Sequence, residues 1–514
     1  MTQSENNKPF TSPAGSAGRR RLLYLTVFIV GIATLGAEIA AARLLAPFFG
    51  ASTIVWANTI GVVLVALSIG YWYGGKLGDR YPDPRRLSMV VIAGAFLITL
   101  IPFIAQPFFE VAISALDEIE AGAFVGSLFA VLILVAIPLT VIGTVSPWAI
   151  RLSLDEVENA GTVAGRLYAI STVGSLLGTM ISALLLIPFA GTQRTFIIFG
   201  LMLALIGAFG LGKRFFLAPV LIAAALAIPV GTIKSSDDGE ILFETDSEHQ
   251  YIRVIEEADG DRVLELNEGQ AVHSLLRAGT TLTGDVWDGY LVLPFAGLEG
   301  PPERIAILGN AAGTTARSYG EYLPGTEIDG VEIDPELEEV GNKYFDMDSN
   351  ENLEVFSEDA RPWLRRSEGG YDAIFVDAYR QPYIPFYLAT EEFFELVRNR
   401  LAPGGVVVLN AGHPEGNDDL EKVLGRTMSE AFPNVMRDPI EPTNTLLVGS
   451  EAELSADNIR AGTQRLPLEV ANLGATEASR FGELLAGGEV YSDDRAPVEW
   501  LIDRSILGYA GEAG

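Results

Sequence analysis

Arg304-Ile305-Ala306-Ile307-Leu308-Gly309-Asn310-Ala311-Ala312-Gly313-Thr314 is the stretch on which the reading of this chain turns. Its first five residues have the length and aliphatic content of a buried strand. The small residues that follow open onto a helical pattern. Strand, glycine-bearing turn and helix together make the first unit of an open α/β sheet. Small residues at such a turn let the backbone approach a ligand, and the helix N-terminus favours negative charge.

Further along, the same unit recurs. A second strand ends in Gly330-Val331-Glu332-Ile333-Asp334-Pro335, about twenty residues past the loop, where an acid is placed to accept hydrogen bonds from both ribose hydroxyls. A third unit yields Glu358-Asp359-Ala360, placed to contact an adenine amine. A fourth strand, Tyr371 to Val376, delivers Asp377 at its C-terminal end. Glu391 to Leu401 reads as a helix, and Pro403-Gly404-Gly405 turns the chain into the strand Val406 to Leu409. Ligands of open α/β sheets bind outside the carboxyl ends of the strands. One acid there is ordinary solvated surface, but three at successive strand ends point to a nucleoside site. Upstream, Tyr251–Ile255 and Arg262–Leu266 alternate polar and apolar around Asp259-Gly260-Asp261, the pattern of a hairpin.

The chain changes character near residue 233. Before it, apolar stretches run over 22–42, 54–73, 87–109, 122–148, 168–190, 194–212 and 215–232. Most reach the ~20 residues that a helix needs to cross a bilayer. The first leads into further spans and lacks a small-residue cleavage site, so it is not a signal peptide. Basic residues collect in the N-terminal segment (Lys8, Arg19, Arg20, Arg21) and in alternate connections, which places the N-terminus in the cytoplasm. Seven crossings from there would leave the second half outside, whereas a nucleotide donor is cytoplasmic. Either one stretch does not cross or the domain is external; the last two are the weakest, Pro219 and Pro229 interrupting the final one, and the reading favours a cytoplasmic domain. Glu38 and Arg43 are charges at membrane depth, read either as an ion pair or interfacial anchor or as part of a substrate path. Gly174 to Gly178 suits close helix packing.

Charge separates the halves as sharply. Residues 1–233 carry 14 Lys/Arg against 11 Asp/Glu, and the rest 21 against 55. Such a surface repels nucleic acid. The absence of cysteine removes disulfides and thiolate chemistry, and three histidines make a His-based metal centre unexpected.

With Gln250 in His249-Gln250-Tyr251-Ile252, Glu332, Asp359-Ala360, Asp377 and Pro385, the soluble half resembles the spermidine synthase (polyamine aminopropyltransferase) family. The whole chain resembles its fused form, in which a multi-span domain precedes that fold. The resemblance implies an α-helical membrane bundle of about seven helices. A Rossmann-like domain of the S-adenosylmethionine-dependent transferase type follows, behind a small β-hairpin subdomain. The expected boundaries are a disordered tail over 1–21, membrane domain 22–233, β-rich subdomain 234–300, catalytic domain 301–450 and a C-terminal extension 451–514. It further implies Asp377 as proton acceptor, and Gln250, Gly309, Glu332, Asp359, Ala360 and Pro385 around decarboxylated S-adenosylmethionine, a co-substrate rather than a bound cofactor. No metal is implied. An amine acceptor, a lipid bilayer and a homodimer or larger assembly are the implied partners.

The chain departs from that family on the acceptor side. Ala312 and Arg380 stand where acids are usual, and Trp287-Asp288 replaces a Tyr-His or Tyr-Gln pair. Asp288 and Tyr379 are the acceptor-side candidates, with putrescine the family's default acceptor. Two rival readings remain: an S-adenosylmethionine-dependent methyltransferase, and a transporter or sensor with a non-catalytic nucleoside- or polyamine-binding domain. The second is motivated by Glu38 and by Gly74-Gly75-Lys76-Leu77-Gly78-Asp79-Arg80, which looks like a cytoplasmic loop of major-facilitator transporters.

Overall fold

A computed structural model describes residues 17–49, 53–117, 123–154, 159–228, 239–247, 249–267, 272–379 and 384–502. The chain divides into two compact units, with the main division after Ile233.

The N-terminal unit is helical. Five helices are long and apolar enough to cross a membrane: Gly18–Ala46, Val55–Arg80, Pro84–Ala105, Ala160–Ala190 and Thr192–Leu211. One further pair, Ser127–Leu134 and Ala136–Ser153, is apolar enough when taken together and is bent by 45°. The bend falls where it must, because Pro138 has no N–H to offer the carbonyl of Leu134 one turn earlier. The expectation of about seven spans is therefore too high among the described residues. The stretch 215–232 forms the helix Leu217–Ala225, 9 residues long, far short of a bilayer. The helix Ala17–Phe49 also begins inside the 1–21 segment expected to be a tail. Gly74 to Arg80 is not a loop but the end of the helix Thr53–Arg80, where Asp79 pairs with Arg151 at 2.9 Å.

Small residues hold these helices together. A Cβ on Gly174 would stand 2.3 Å from the carbonyl oxygen of Phe28, and one on Gly178 2.1 Å from that of Ile32. Ser182 donates to the Gly36 carbonyl at 3.0 Å. Close backbone approach and interhelical hydrogen bonds thus join these helices. Leu64, Val65, Phe129, Phe189 and Phe209 are correspondingly exposed on the outside.

The C-terminal unit begins with an antiparallel sheet, β1 (Gly239–Asp246), β2 (Tyr251–Glu257), β3 (Arg262–Leu266) and β4 (Val272–Leu276), in the order β1-β2-β3-β4. The expected hairpin is β2–β3, with Ile255 opposite Val263. An eight-stranded sheet follows: β5 (Arg304–Leu308), β6 (Glu327–Glu332), β7 (Leu353–Ser357), β8 (Tyr371–Val376), β9 (Leu401–Gly412), β10 (Asn434–Glu441), β11 (Asn444–Ser450) and β12 (Gly482–Glu483). Its order is β12-β10-β11-β9-β8-β5-β6-β7, with β5 to β9 parallel and β11 antiparallel to β9. This is the Rossmann-like arrangement expected. The central parallel strands β5, β8 and β9 are buried on both faces, which is why they read as aliphatic runs. Ile305, Ile307 and Phe375 pack into one core, and Ala306, Ile374 and Val407 into the other. Strand order reverses between β5 and β8, so the crevice at their carboxyl ends is the switch point where ligands bind. The C-terminal helices Ala456–Thr463 and Leu468–Arg480 belong to the same unit, and Arg361 grips Asp493 through two 2.7 Å hydrogen bonds.

Candidate active site

At that switch point lies a cavity of ≈ 360 Å³. Gln250, Gly309, Glu332, Asp359, Ala360, Asp377, Tyr379 and Pro385 all line it, so eight of the nine residues singled out from sequence come together. Asp288 does not. Its carboxylate turns back and accepts from Thr283 N–H (2.8 Å), the Thr283 hydroxyl (3.0 Å) and Gly284 N–H (2.7 Å). It pins the turn before the helix Val286–Val292, and the neighbouring Trp287 faces the cavity in its place. Arg380 lies outside the described residues, and Ala312 is fully buried beneath the loop.

The turn after β5 is shaped by backbone that few residues tolerate. Gly309 has φ +97, and a Cβ there would stand 2.5 Å from the Asp377 carbonyl oxygen. Ala311 adopts φ 45, a left-handed conformation costing an L-residue about 1–2 kcal/mol. The strain turns the Ala311 N–H onto Glu332 Oε2 at 3.0 Å. Ala312 N–H is taken by Ser274 Oγ at 3.0 Å. The loop donors of Ala311 and Ala312 are thus spent within the protein.

Glu332 also accepts from Asp334 N–H at 3.2 Å. It is 8% exposed, and burial pushes its carboxyl up to about 7 against the opposing pull of those backbone donors. Asp359 caps the helix Ala360–Arg366 through Arg361 N–H (3.1 Å) and accepts the Tyr387 hydroxyl at 2.7 Å.

Asp377 is held differently. Asn410 donates to its Oδ1 at 2.9 Å, and Asn444 donates to the Asn410 amide oxygen at 2.9 Å. That second bond fixes the amide orientation and presents Nδ2 to the carboxylate. Trp287 and the Tyr290 hydroxyl also lower the Asp377 pKa, although Tyr290 makes no hydrogen bond of ordinary geometry. Asp377 is half-exposed by area because it opens onto the cavity, yet dense protein behind it desolvates the carboxylate and lifts its pKa to about 7. The Tyr379 hydroxyl donates to the Asn410 carbonyl (2.8 Å) and accepts from Gly412 N–H (2.7 Å). It braces β8 against β9 with both its hydrogen-bonding capacities in use.

Sequence reasoning missed Asp285, Glu441, Asn410 and Asn444, which line the same cavity. Nothing in their local sequence marks them; β9 and the β10–β11 hairpin bring in Asn410, Glu441 and Asn444 from far along the chain, and Asp285 comes from the turn before the helix Val286–Val292. The described lining thus contains six carboxylates (Asp285, Glu332, Glu358, Asp359, Asp377 and Glu441) and neither Lys nor Arg. A low-dielectric cleft of that sign concentrates cations.

The fold and this row of strand-end acids define an open α/β domain with an acidic cleft at its switch point. Residues 292–446 match the spermine/spermidine synthase domain. Among curated relatives, a probable polyamine aminopropyl transferase of Bifidobacterium longum is 31% identical over 53% of this chain; the match spans 65% of that relative's length. Polyamine aminopropyltransferase 2 of Aquifex aeolicus is 27% identical over 85% of this chain and 89% of its own. A solved probable spermidine synthase of Corynebacterium glutamicum aligns with 51% of this chain and 100% of its own at 21% identity, with a TM-score of 0.38.

Proposed function

We propose that this chain is a membrane-anchored aminopropyltransferase, moving the aminopropyl group of decarboxylated S-adenosylmethionine to an amine. The observation carrying this reading is the convergence of Glu332, Asp359 and Asp377 on one cavity whose described lining holds six carboxylates and neither Lys nor Arg. Glu332 takes the ribose hydroxyls, Asp359 and Ala360 the adenine edge, and Gln250 and Pro385 close over the thioadenosine. The sulfonium then sits near Asp377. The acceptor nitrogen attacks the methylene carbon bonded to sulfur, the C–S bond breaks, and its electron pair returns to sulfur as a neutral thioether. The proton lost by nitrogen passes to Asp377, whose pKa near 7 suits that exchange. Amine and donor are both cationic, so the cleft draws them together against their mutual repulsion.

The helical unit is the anchor in this reading. Six crossings, counting the bent pair as one, return the chain to the side of its basic N-terminal segment. That parity supports a catalytic unit in the cytoplasm. Protease protection of the C-terminal half in oriented vesicles tests it, and cleavage only from the outer face overturns it.

The activity is tested by incubating detergent-purified full-length protein with each donor and a panel of amines, followed by mass spectrometry. Methylthioadenosine from decarboxylated S-adenosylmethionine is expected. S-adenosylhomocysteine from S-adenosylmethionine would make the chain a methyltransferase, and no product from either donor would make it a binding module.

A further inference from the structure

The helical unit carries a cavity of its own, of ≈ 220 Å³. Arg20 and Tyr24 line it from the helix Ala17–Phe49, and Ser153 from the helix Val145–Ser153. Asn159, Thr162 and Arg166 line it from the start of the helix Ala160–Ile181. The first and last of these helices run side by side in the same direction, since Phe28, Ile32 and Gly36 meet Gly174, Gly178 and Ser182 in that order. Their N-terminal ends therefore fall together. The cavity lies there, where each helix passes from arginine-bearing to apolar sequence.

Two arginines line this space, and no carboxylate does so among the described residues. Asp155, Glu156 and Glu158 stand between Ser153 and Asn159 in the sequence, outside the described residues. Arg151 is committed elsewhere, to Asp79 at 2.9 Å. Ser153 is 6% exposed, and its hydroxyl has no hydrogen-bond partner among the described residues. Buried hydroxyls are rarely left so, and this one can donate to an anion. Asn159 occupies the N-cap position, yet its side chain makes no capping bond. The positive end of a 22-residue helix thus opens on the same space without a side-chain cap. Guanidinium, hydroxyl and helix start together form a donor set suited to phosphate oxygens.

We propose that this cavity binds a phosphate ester, with Arg20 and Arg166 on its charged oxygens and the Ser153 hydroxyl and the helix start on the others. The phosphate chemistry stands on these donors alone. Its source, the headgroup of an anionic phospholipid, rests on the membrane-anchored reading above. Leu25 and Tyr168 are exposed on the same two helices just beyond the arginines, and they give an acyl chain an apolar track beside the headgroup. A lipid so held ties the start of the first helix to that of a helix far along the chain.

The test titrates full-length protein, purified in a non-ionic detergent, with dihexanoyl-phosphatidylglycerol, with dihexanoylglycerol, which lacks the phosphate, and with inorganic phosphate. Calorimetry should show binding of the first lipid and none of the second. Arg166→Gln is expected to weaken phosphatidylglycerol about 5–10-fold, and Arg20→Gln combined with it to weaken it further. Lys213→Gln with Arg214→Gln, two exposed positions outside the cavity, should leave the affinity unchanged. Inorganic phosphate that binds and competes supports the phosphate site with a soluble ester as its source. Equal binding of both lipids, equal losses in the two double variants, or no binding of any probe overturns the site. Anchoring has a separate readout in alkaline carbonate extraction of cell membranes. Protein released by carbonate removes the lipid source, while the phosphate titration of the same variants still decides the cavity.

Discussion

The two sides of the cleft use carboxylates in opposite ways. Over β6 and β7, Glu332 and Asp359 are locked by backbone N–H groups within a few residues of themselves or of the β5 turn. Over β8 to β10, Asp377 hangs on an amide relay from Asn410 and Asn444, and Asp285 and Glu441 line the same cavity. The first side is preorganised by local geometry and suits a donor of fixed shape. The second is assembled from four separate segments, so its specificity changes with substitutions that leave the sheet intact. One cleft thus joins a rigid half to an adjustable one.

The largest effect should come from the residue at their junction. Asp377→Asn is expected to lower kcat/KM by about 10²–10⁴ with methylthioadenosine affinity retained, as read from product formation and calorimetry. Lost nucleoside affinity in that variant would erase the division between the halves. Glu332→Gln should act the other way, weakening methylthioadenosine binding by about 10–100-fold through its hydrogen bonds. The amine KM at saturating donor should then be unchanged.

The relay makes a smaller prediction. In the unaltered protein kcat/KM rises with pH through about 7 as Asp377 ionises. Asn410→Ala removes a hydrogen bond that favours the ionised form, so this limb should move to higher pH by about 0.5–1 unit. Asn410→Gln should restore part of the shift, whereas an unmoved limb would mean that Asn410 serves the fold alone.

Stability supplies the smallest effect. Asp377 is raised in the folded protein from 3.8 to about 7, so folding favours its protonated form. Its contribution is fully present below the unfolded value and is lost as pH rises through about 7. Asp377→Asn should therefore raise the Tm of the full chain by about 2–4 °C at pH 8 and by almost nothing at pH 4. Equal shifts at both pH values would show that the carboxylate is better solvated than its surroundings imply.

What could be read without coordinates follows the same division. Gly309, Glu332, Asp359 and Asp377 were legible because each sits at a strand end, and in a parallel sheet strand ends share one edge whatever the details. Apolar length marked the long N-terminal helices for the same local reason, whereas the last apolar stretch holds a helix of only 9 residues, Leu217–Ala225. Asp288 misled, because proximity to Trp287 in sequence says nothing of which side chain a helix start turns inward.

Periodicity and strand-end acids determined by themselves that this chain joins an apolar helical half to an α/β sheet with acids along its carboxyl edge, since both signals depend on neighbours within a turn or a strand. Tertiary structure alone decided that Asn410, Asn444, Asp285 and Glu441 complete the cleft. Their meeting depends on β11 inserting between β9 and β10, a long-range pairing that no short window of sequence contains.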